Sequence, residues 1–156
     1  MPFDFQYHLN QLRTEMKVDF AGIAMPADLI MQNDIRWLHV SGADNERYQR
    51  IHLQKGKGIA GIVMKSGRNW LEREINNQTF TEDLFNYPII RSEKLTSFLA
   101  VPLWKYNRVA GVLLIGNRTH RHLAEQIEDD MEHYLAEGFG PFYGKDVFNS
   151  EQPVLK

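Results

Sequence analysis

The 156-residue sequence contains no cysteine. This absence excludes disulfides, cysteine-ligated metal sites, catalysis by a thiol and chromophores attached through a thioether. A chain without cysteine is compatible with the reducing cytoplasm, which is where we expect the protein to act. We also expect no metal and no cofactor. His120 and His122 are a candidate metal pair, but they lack a clear third ligand.

A strong charge of one sign and long apolar runs are also missing. Lys and Arg number 18 against 20 Asp and Glu, so the net charge is -2, and we expect no nucleic-acid partner. No run approaches the roughly 20 apolar residues of a membrane helix, and the first residues lack a signal-peptide core, so we expect no membrane partner. The hydrophobic content of 43% predicts one globular domain over 1–140, with its core at 18–118 and a tail at 141–156.

Apolar periodicity predicts an α+β fold. An i, i+4, i+7, i+11 stripe that begins at Phe5 predicts a helix over 4–16, and a second stripe predicts a helix from about 121 to 137. The segments that we expect to be strands share short apolar or alternating runs: 18–25, 35–42, 50–54, 69–72, 97–104 and 108–117. The last two form a hairpin with apolar residues on both faces, which indicates a mostly antiparallel sheet covered on both sides.

The segment QKGKGIAGIV (54–63) contains G-x-G-x-x-G at Gly56, Gly58 and Gly61. A dinucleotide site is disfavoured because the following helix is short and the next clear strands form a hairpin instead of a parallel crossover. In a purely structural interpretation, the glycines form a tight turn and a close contact between the helix and the sheet. In the alternative interpretation, the N–H groups of Ile59 and Ala60 at the helix start face a small, weakly hydrated anion.

Three further features bear on a ligand site. In the alternating strand 35–42, Trp37 and His39 are expected on one face. Trp37 is either a plain core residue or a pocket wall whose indole N–H needs an acceptor. The polar connection 73–94 contains Tyr87-Pro88, which is either an ordinary turn or part of a lid. Within it, we expect Arg91, Glu93 and Lys94 to form a solvated turn.

Four segments in order, GKGIAGIVMKSG, YPII, LTSFLAVPL and RVAGVLLIGNR, resemble a GAF domain over about residues 18–118. The resemblance implies a sensory module: an antiparallel sheet with the N- and C-terminal helices on one face and a ligand pocket on the other. Within this family, RWLHVSG, RIHLQKGKGIAG and YPIIRSEKLTS resemble free-standing nitrate receptors of a two-component regulatory system. Those receptors act on a sensor histidine kinase and are not enzymes.

The resemblance also implies which residues bind nitrate. By resemblance, the main-chain amides of Ile59 and Ala60 hold the anion at the helix start, and Trp37 forms one wall of the pocket. Tyr87, Pro88 and Ile89 form the opposite wall. Other GAF activities fit less well. Methionine sulfoxide reduction and bilin attachment need cysteine, and a haem site would need a proximal histidine, for which His39 is the candidate. Two alternatives stay open: a sensor for another small anion or metabolite, and a ligand-free module that forms a homodimer through its terminal helices.

Overall fold

A computed structural model of the chain describes residues 2–27, 34–75 and 86–144. The helices in these ranges are α1 (Phe5–Met16), α2 (Gly58–Ser66), α3 (Pro88–Glu93) and α4 (Ile127–Tyr134), with a 3-10 turn at Arg47–Arg50. The strands are β1 (Phe20–Pro26), β2 (Ile35–Ser41), β3 (Trp70–Glu72), β4 (Ser97–Lys105) and β5 (Arg108–Asn117). None of the helices in the described residues is both long and apolar enough to span a membrane.

The five strands form one sheet in the order β2-β1-β5-β4-β3, and each neighbouring pair is antiparallel. Successive residues of the central strands point to opposite faces, and each face has its own buried cluster. We call the first the α2 face; it includes Phe98, Ala100, Val112 and Leu114. We call the second the α1 face; it includes Leu99, Val101, Leu113 and Ile115. The predicted α+β class and the two-sided burial of the sheet are confirmed.

The terminal helices cover the α1 face. Helix α1 begins where Asp4 accepts a hydrogen bond from the Tyr7 amide at 3.0 Å, and its Leu9 and Leu12 are buried. Helix α4 buries Ile127 and Met131 in the same cluster. The terminal helices therefore share one face of the sheet, as the resemblance implied.

Helix α4 is shorter than the predicted 121–137. Side chains from the sheet bind the backbone just before it: the Ser97 hydroxyl donates to the Arg121 carbonyl at 3.1 Å, and the Asn117 amide donates to the His122 carbonyl at 3.3 Å. Side-chain bonds of this kind compete with the hydrogen bonds of a helix. Residues 121 and 122 are therefore bound to the ends of β4 and β5 before the helix begins.

Strand β2 differs from the simple alternation expected from its sequence. Trp37 lies opposite Ala24 and His39 opposite Ile23, so Leu38 is an extra residue in a β-bulge. The bulge shifts the side-chain alternation by one residue. Trp37 packs in the α2-face cluster, whereas His39 stacks on Phe5, which packs against the α1-face cluster. The expectation that Trp37 and His39 share a face is wrong, and His39 does not point into the cluster that contains Trp37.

The remaining segments differ in how far the structure describes them. The predicted strand 50–54 is reduced to one bridge between Leu53 and Ile35, because the chain turns at the glycines that follow. Phe142 is buried and Tyr143 bridges to Trp104, so the start of the predicted tail packs on the fold. Residues 28–33, the middle of the polar connection 73–94 (residues 76–85) and residues 145–156 lie outside the described residues. The domain boundary at 140 stays a prediction.

Candidate functional site

The six residues expected to bind nitrate lie on the α2 face of the sheet. Trp37, Ile59, Ala60 and Ile89 are buried members of that cluster, and Tyr87 is a half-buried residue packed against it. Pro88 is the first residue of α3, between Tyr87 and Ile89. Helices α2 and α3 are in contact with each other. The structure therefore gathers residues that are up to 52 positions apart in the sequence into one region of the core.

The first turn of α2 is buried, and the side chain of its N-cap residue does not cap it. Lys57 at the N-cap has extended backbone angles and makes no side-chain cap hydrogen bond. Ile59 and Ala60, in the first turn, have no exposed surface. Because first-turn N–H groups have no partner within the helix, burial leaves them in need of an acceptor. Together with the positive end of the helix dipole, these donors favour a negatively charged ligand.

The three glycines are required by the backbone. The Gly56 amide donates to the Gly61 carbonyl at 2.7 Å, and Gly56 and Gly58 have φ angles of +89° and +67°. A Cβ on Gly61 would lie 2.2 Å from the Gln54 carbonyl oxygen. The tight turn and the close backbone contact of the purely structural interpretation are therefore both present. A dinucleotide fold is wrong, because it requires a parallel sheet. The glycines place the start of α2, and the amides of Ile59 and Ala60 follow them directly.

The indole nitrogen of Trp37 is buried and has no hydrogen-bond partner among the described residues. The residue is 2% exposed. In the described part of the chain, only one other buried side-chain nitrogen or oxygen shares this condition, the Oε2 atom of Glu93. An indole N–H is a donor only, and leaving it unsatisfied costs about 1–3 kcal/mol. Trp37 thus presents an unused donor in the same cluster as the uncapped start of α2.

Tyr87 and the first turn of α3 correspond to the opposite wall that the resemblance implied. Tyr87 makes no side-chain cap bond to α3, whose first residue is Pro88. The Tyr87 ring packs edge-on against Trp70, with centroids 5.5 Å apart, and Trp70 packs against Phe98 at 5.7 Å. Sequence reasoning missed Trp70 as a supporting residue. Its position in a predicted short strand was the only signal, and nothing in that strand linked it to Tyr87.

Glu93, at the end of α3, is buried, contrary to the expected solvated turn of Arg91, Glu93 and Lys94. Its side chain is fully buried and pairs with the Arg118 guanidinium at 2.6 Å, so it does not belong to a solvated turn. Burial raises the pKa of Glu93, while the hydrogen bond from the Asp44 amide and the Arg118 charge act in the opposite direction. A local cluster of charged residues gave no sign of this burial, because the partner lies 25 positions away.

Comparisons with known proteins add to this geometry. No family model and no curated protein matches the chain. A solved structure of NreA from Staphylococcus aureus, mutated in its nitrate-binding site, is 41% identical, with a TM-score of 0.77, and the match covers 83% of this chain and 96% of that one. A hypothetical protein from S. aureus is 43% identical, with a TM-score of 0.74 and coverage of 78% and 98%.

A more distant structure shows the fold alone. The GAF domain of an Acinetobacter phosphoenolpyruvate-protein phosphotransferase is 21% identical, with a TM-score of 0.64, and the match covers 85% of this chain and 75% of that one. The expected GAF fold is confirmed by this likeness together with the antiparallel five-stranded sheet.

Proposed function

The chain belongs to the GAF family that includes NreA, and on this premise we propose that it is a cytoplasmic receptor that binds nitrate and modulates a sensor histidine kinase. The nitrate site is the region of the α2 face between β2, α2 and α3. The observation that carries the proposal is the buried indole N–H of Trp37, which has no acceptor among the described residues.

Nitrate matches the donors that this region offers. It is a planar anion with three oxygen acceptors and a single charge. The Trp37 indole and the amides of Ile59 and Ala60 donate from one side. On the other side, the amide of Ile89 in the first turn of α3 donates, and Tyr87 and Pro88 supply the wall. Binding would satisfy donors whose burial otherwise costs free energy.

The absence of a charged side chain among the six proposed residues favours a weakly hydrated anion. A strongly hydrated phosphate or a carboxylate is usually held by a paired arginine. Arg118 does not serve this purpose, because Glu93 and backbone carbonyls engage its guanidinium. Neutral donors in an apolar surrounding discriminate against ions that are costly to dehydrate.

The first experiment is a calorimetric titration of the purified protein with nitrate, and with chloride, nitrite and iodide in parallel. We expect saturable binding of nitrate at one site and weaker binding of chloride. Folded protein that shows no heat with nitrate at millimolar concentration would contradict the proposal. If a small metabolite co-purifies instead, the region would serve as a GAF sensor for a different ligand.

The kinase part of the proposal needs a separate assay. Autophosphorylation of the sensor histidine kinase from the same organism is measured with and without this protein, each with and without nitrate. We expect the nitrate-free protein to lower the phosphorylation and nitrate to reverse that effect. If the autophosphorylation is the same in all four conditions, the kinase is not the partner of this protein. The assignment of the ligand would be unaffected.

A further inference from the structure

The buried Glu93 and the partly exposed Arg118 form a polar junction at the end of α3. The Arg118 guanidinium donates to the Glu93 carboxylate at 2.6 Å through Nη2 and to the Glu93 carbonyl at 2.7 Å through Nε. The same Nη2 donates to the Gly42 carbonyl at 3.0 Å. Glu93 also accepts the Asp44 amide at 2.7 Å. One arginine thus joins the end of α3 to the segment that follows β2.

This junction links the two chain segments that carry the proposed walls of the site. One wall is Trp37, on the strand that leads into Gly42. The other wall is the start of α3, and Ile89 precedes Glu93 by four residues, about 6 Å along a helix. A second bond, from the Asn45 side chain to the Ser92 carbonyl at 2.8 Å, runs beside the first. The spacing between the walls therefore depends on where the end of α3 is held.

The Glu93–Arg118 ion pair leaves one oxygen of a buried carboxylate without a partner among the described residues. Glu93 has no exposed surface and its Oε2 atom has no partner among the residues described. Burying a carboxylate with one unsatisfied oxygen costs free energy, and an apolar pair of similar size is often at least as stable. Stability alone does not account for the pair, whereas a fixed geometry between two chain segments does, because the guanidinium reaches three acceptors at once.

We propose that the Glu93–Arg118 pair is a positioning device that fixes the spacing between Trp37 and the Tyr87–Ile89 wall, and so sets the size of the anion that the site admits. This inference rests on the proposed nitrate site. Neither residue contacts the anion; both act through α3 and the end of β2. Loosening the pair lets α3 move away from Trp37, and a wider gap accepts larger anions.

The test compares nitrate with perchlorate, a larger anion of the same charge that is also weakly hydrated. Calorimetric affinities for both are measured in the wild type, Glu93→Gln and Arg118→Lys. We expect the preference for nitrate over perchlorate to fall at least about fivefold in both variants. This is the lower end of the typical energetic coupling between two sites in a protein. Arg118→Lys keeps the charge and loses the fork of donors, so it tests the geometry if Glu93→Gln fails to fold.

Two controls separate positioning from general loss of structure. Arg36→Gln removes a half-exposed ion pair with Asp34 (3.2 Å) at the other end of β2 and should leave the preference unchanged. Trp37→Phe removes a donor and should weaken both anions by a similar factor. If the Glu93 and Arg118 variants also weaken both anions equally, or leave both unchanged, the pair has no part in selectivity and the inference is overturned.

Amide hydrogen exchange of the ligand-free protein gives a readout that needs no anion. We expect faster exchange in Glu93→Gln that is confined to α3 and the segment after β2. If the wild type binds neither anion, the nitrate site is wrong, and this exchange alone decides the positioning role. Unchanged exchange in α3 would overturn that role whatever the titrations show.

Discussion

The imidazole of His39 stacks on the ring of Phe5, with ring centroids 5.2 Å apart and planes inclined by 17°. The contact joins the edge strand β2 to α1 and exists because the bulge at Leu38 turns His39 toward this helix. Burial lowers the pKa of His39, and the nearby Asp4 carboxylate opposes the shift. The folded protein therefore favours the neutral form of the His39 imidazole over the protonated form.

This shift predicts a pH dependence of stability. With a lowered pKa in the folded state, the unfolded chain binds the proton more readily, so the contribution of His39 is present above pH 6.5 and is lost as the pH falls through the lowered value. We expect His39→Gln to lose less free energy of unfolding than the wild type between pH 8 and pH 5, measured by urea denaturation. His122→Gln, at an exposed histidine, controls for the substitution itself; identical profiles for His39→Gln and the wild type would refute the assignment.

Trp37→Phe tests the unused indole donor directly. It keeps an aromatic ring and removes the N–H. A hydrogen bond to a charged group is worth about 1.5–3 kcal/mol, so we expect nitrate to bind about 10 to 100 times more weakly by calorimetry. Trp104→Phe is the matched control, since Trp104 packs against Gly67 in the described structure and is no member of the α2-face cluster. Equal affinity in Trp37→Phe and the wild type would show that the indole does not contact the anion.

Ala60→Pro tests the amides at the start of α2. Position 60 lies in the first helical turn, where an N–H has no intrahelical partner, so proline removes a donor without breaking the helix ladder. We expect at least a tenfold loss of nitrate affinity, of the order of one charged hydrogen bond. Ala60→Gly removes only the methyl group and keeps the amide, so it should bind nitrate nearly as well. A folded Ala60→Pro protein with wild-type affinity would remove this amide from the site.

Much of the fold follows from periodicity in the sequence. The stripe that begins at Phe5 predicted α1 to within one residue at its start, and the two apolar strands of the hairpin predicted the centre of the sheet. These elements are predictable because each buries a regular face and the pattern repeats along the segment. The placement of Trp37, Ile59 and Ile89 in one buried cluster was expected only from the family resemblance.

The features that the sequence did not reveal depend on partners distant in the chain. Nothing local to Leu38 marks a bulge; it arises from how β2 pairs with β1. The burial of Glu93 depends on Arg118, and the role of Trp70 depends on Tyr87. Charge and hydrophobicity at one position are poor guides to such pairs, because tertiary contacts decide which polar groups leave the solvent.

Gly61→Ala makes a prediction opposite to ordinary helix propensity. In an exposed helix interior, alanine is more stable than glycine by roughly 0.5–1 kcal/mol. Here the new Cβ would lie 2.2 Å from the Gln54 carbonyl oxygen and 3.2 Å from the Gly56 amide nitrogen. Because both are backbone atoms, α2 itself must move, and we expect a loss of about 1–3 kcal/mol in the free energy of unfolding by urea denaturation.

Moving α2 also displaces the amides of its first turn, so nitrate affinity should fall as well. Lys65→Ala, on the exposed side of α2, controls for propensity and should leave both quantities near wild type. A Gly61→Ala protein as stable as the wild type would mean that the turn and the helix are not held together as closely as the structure shows.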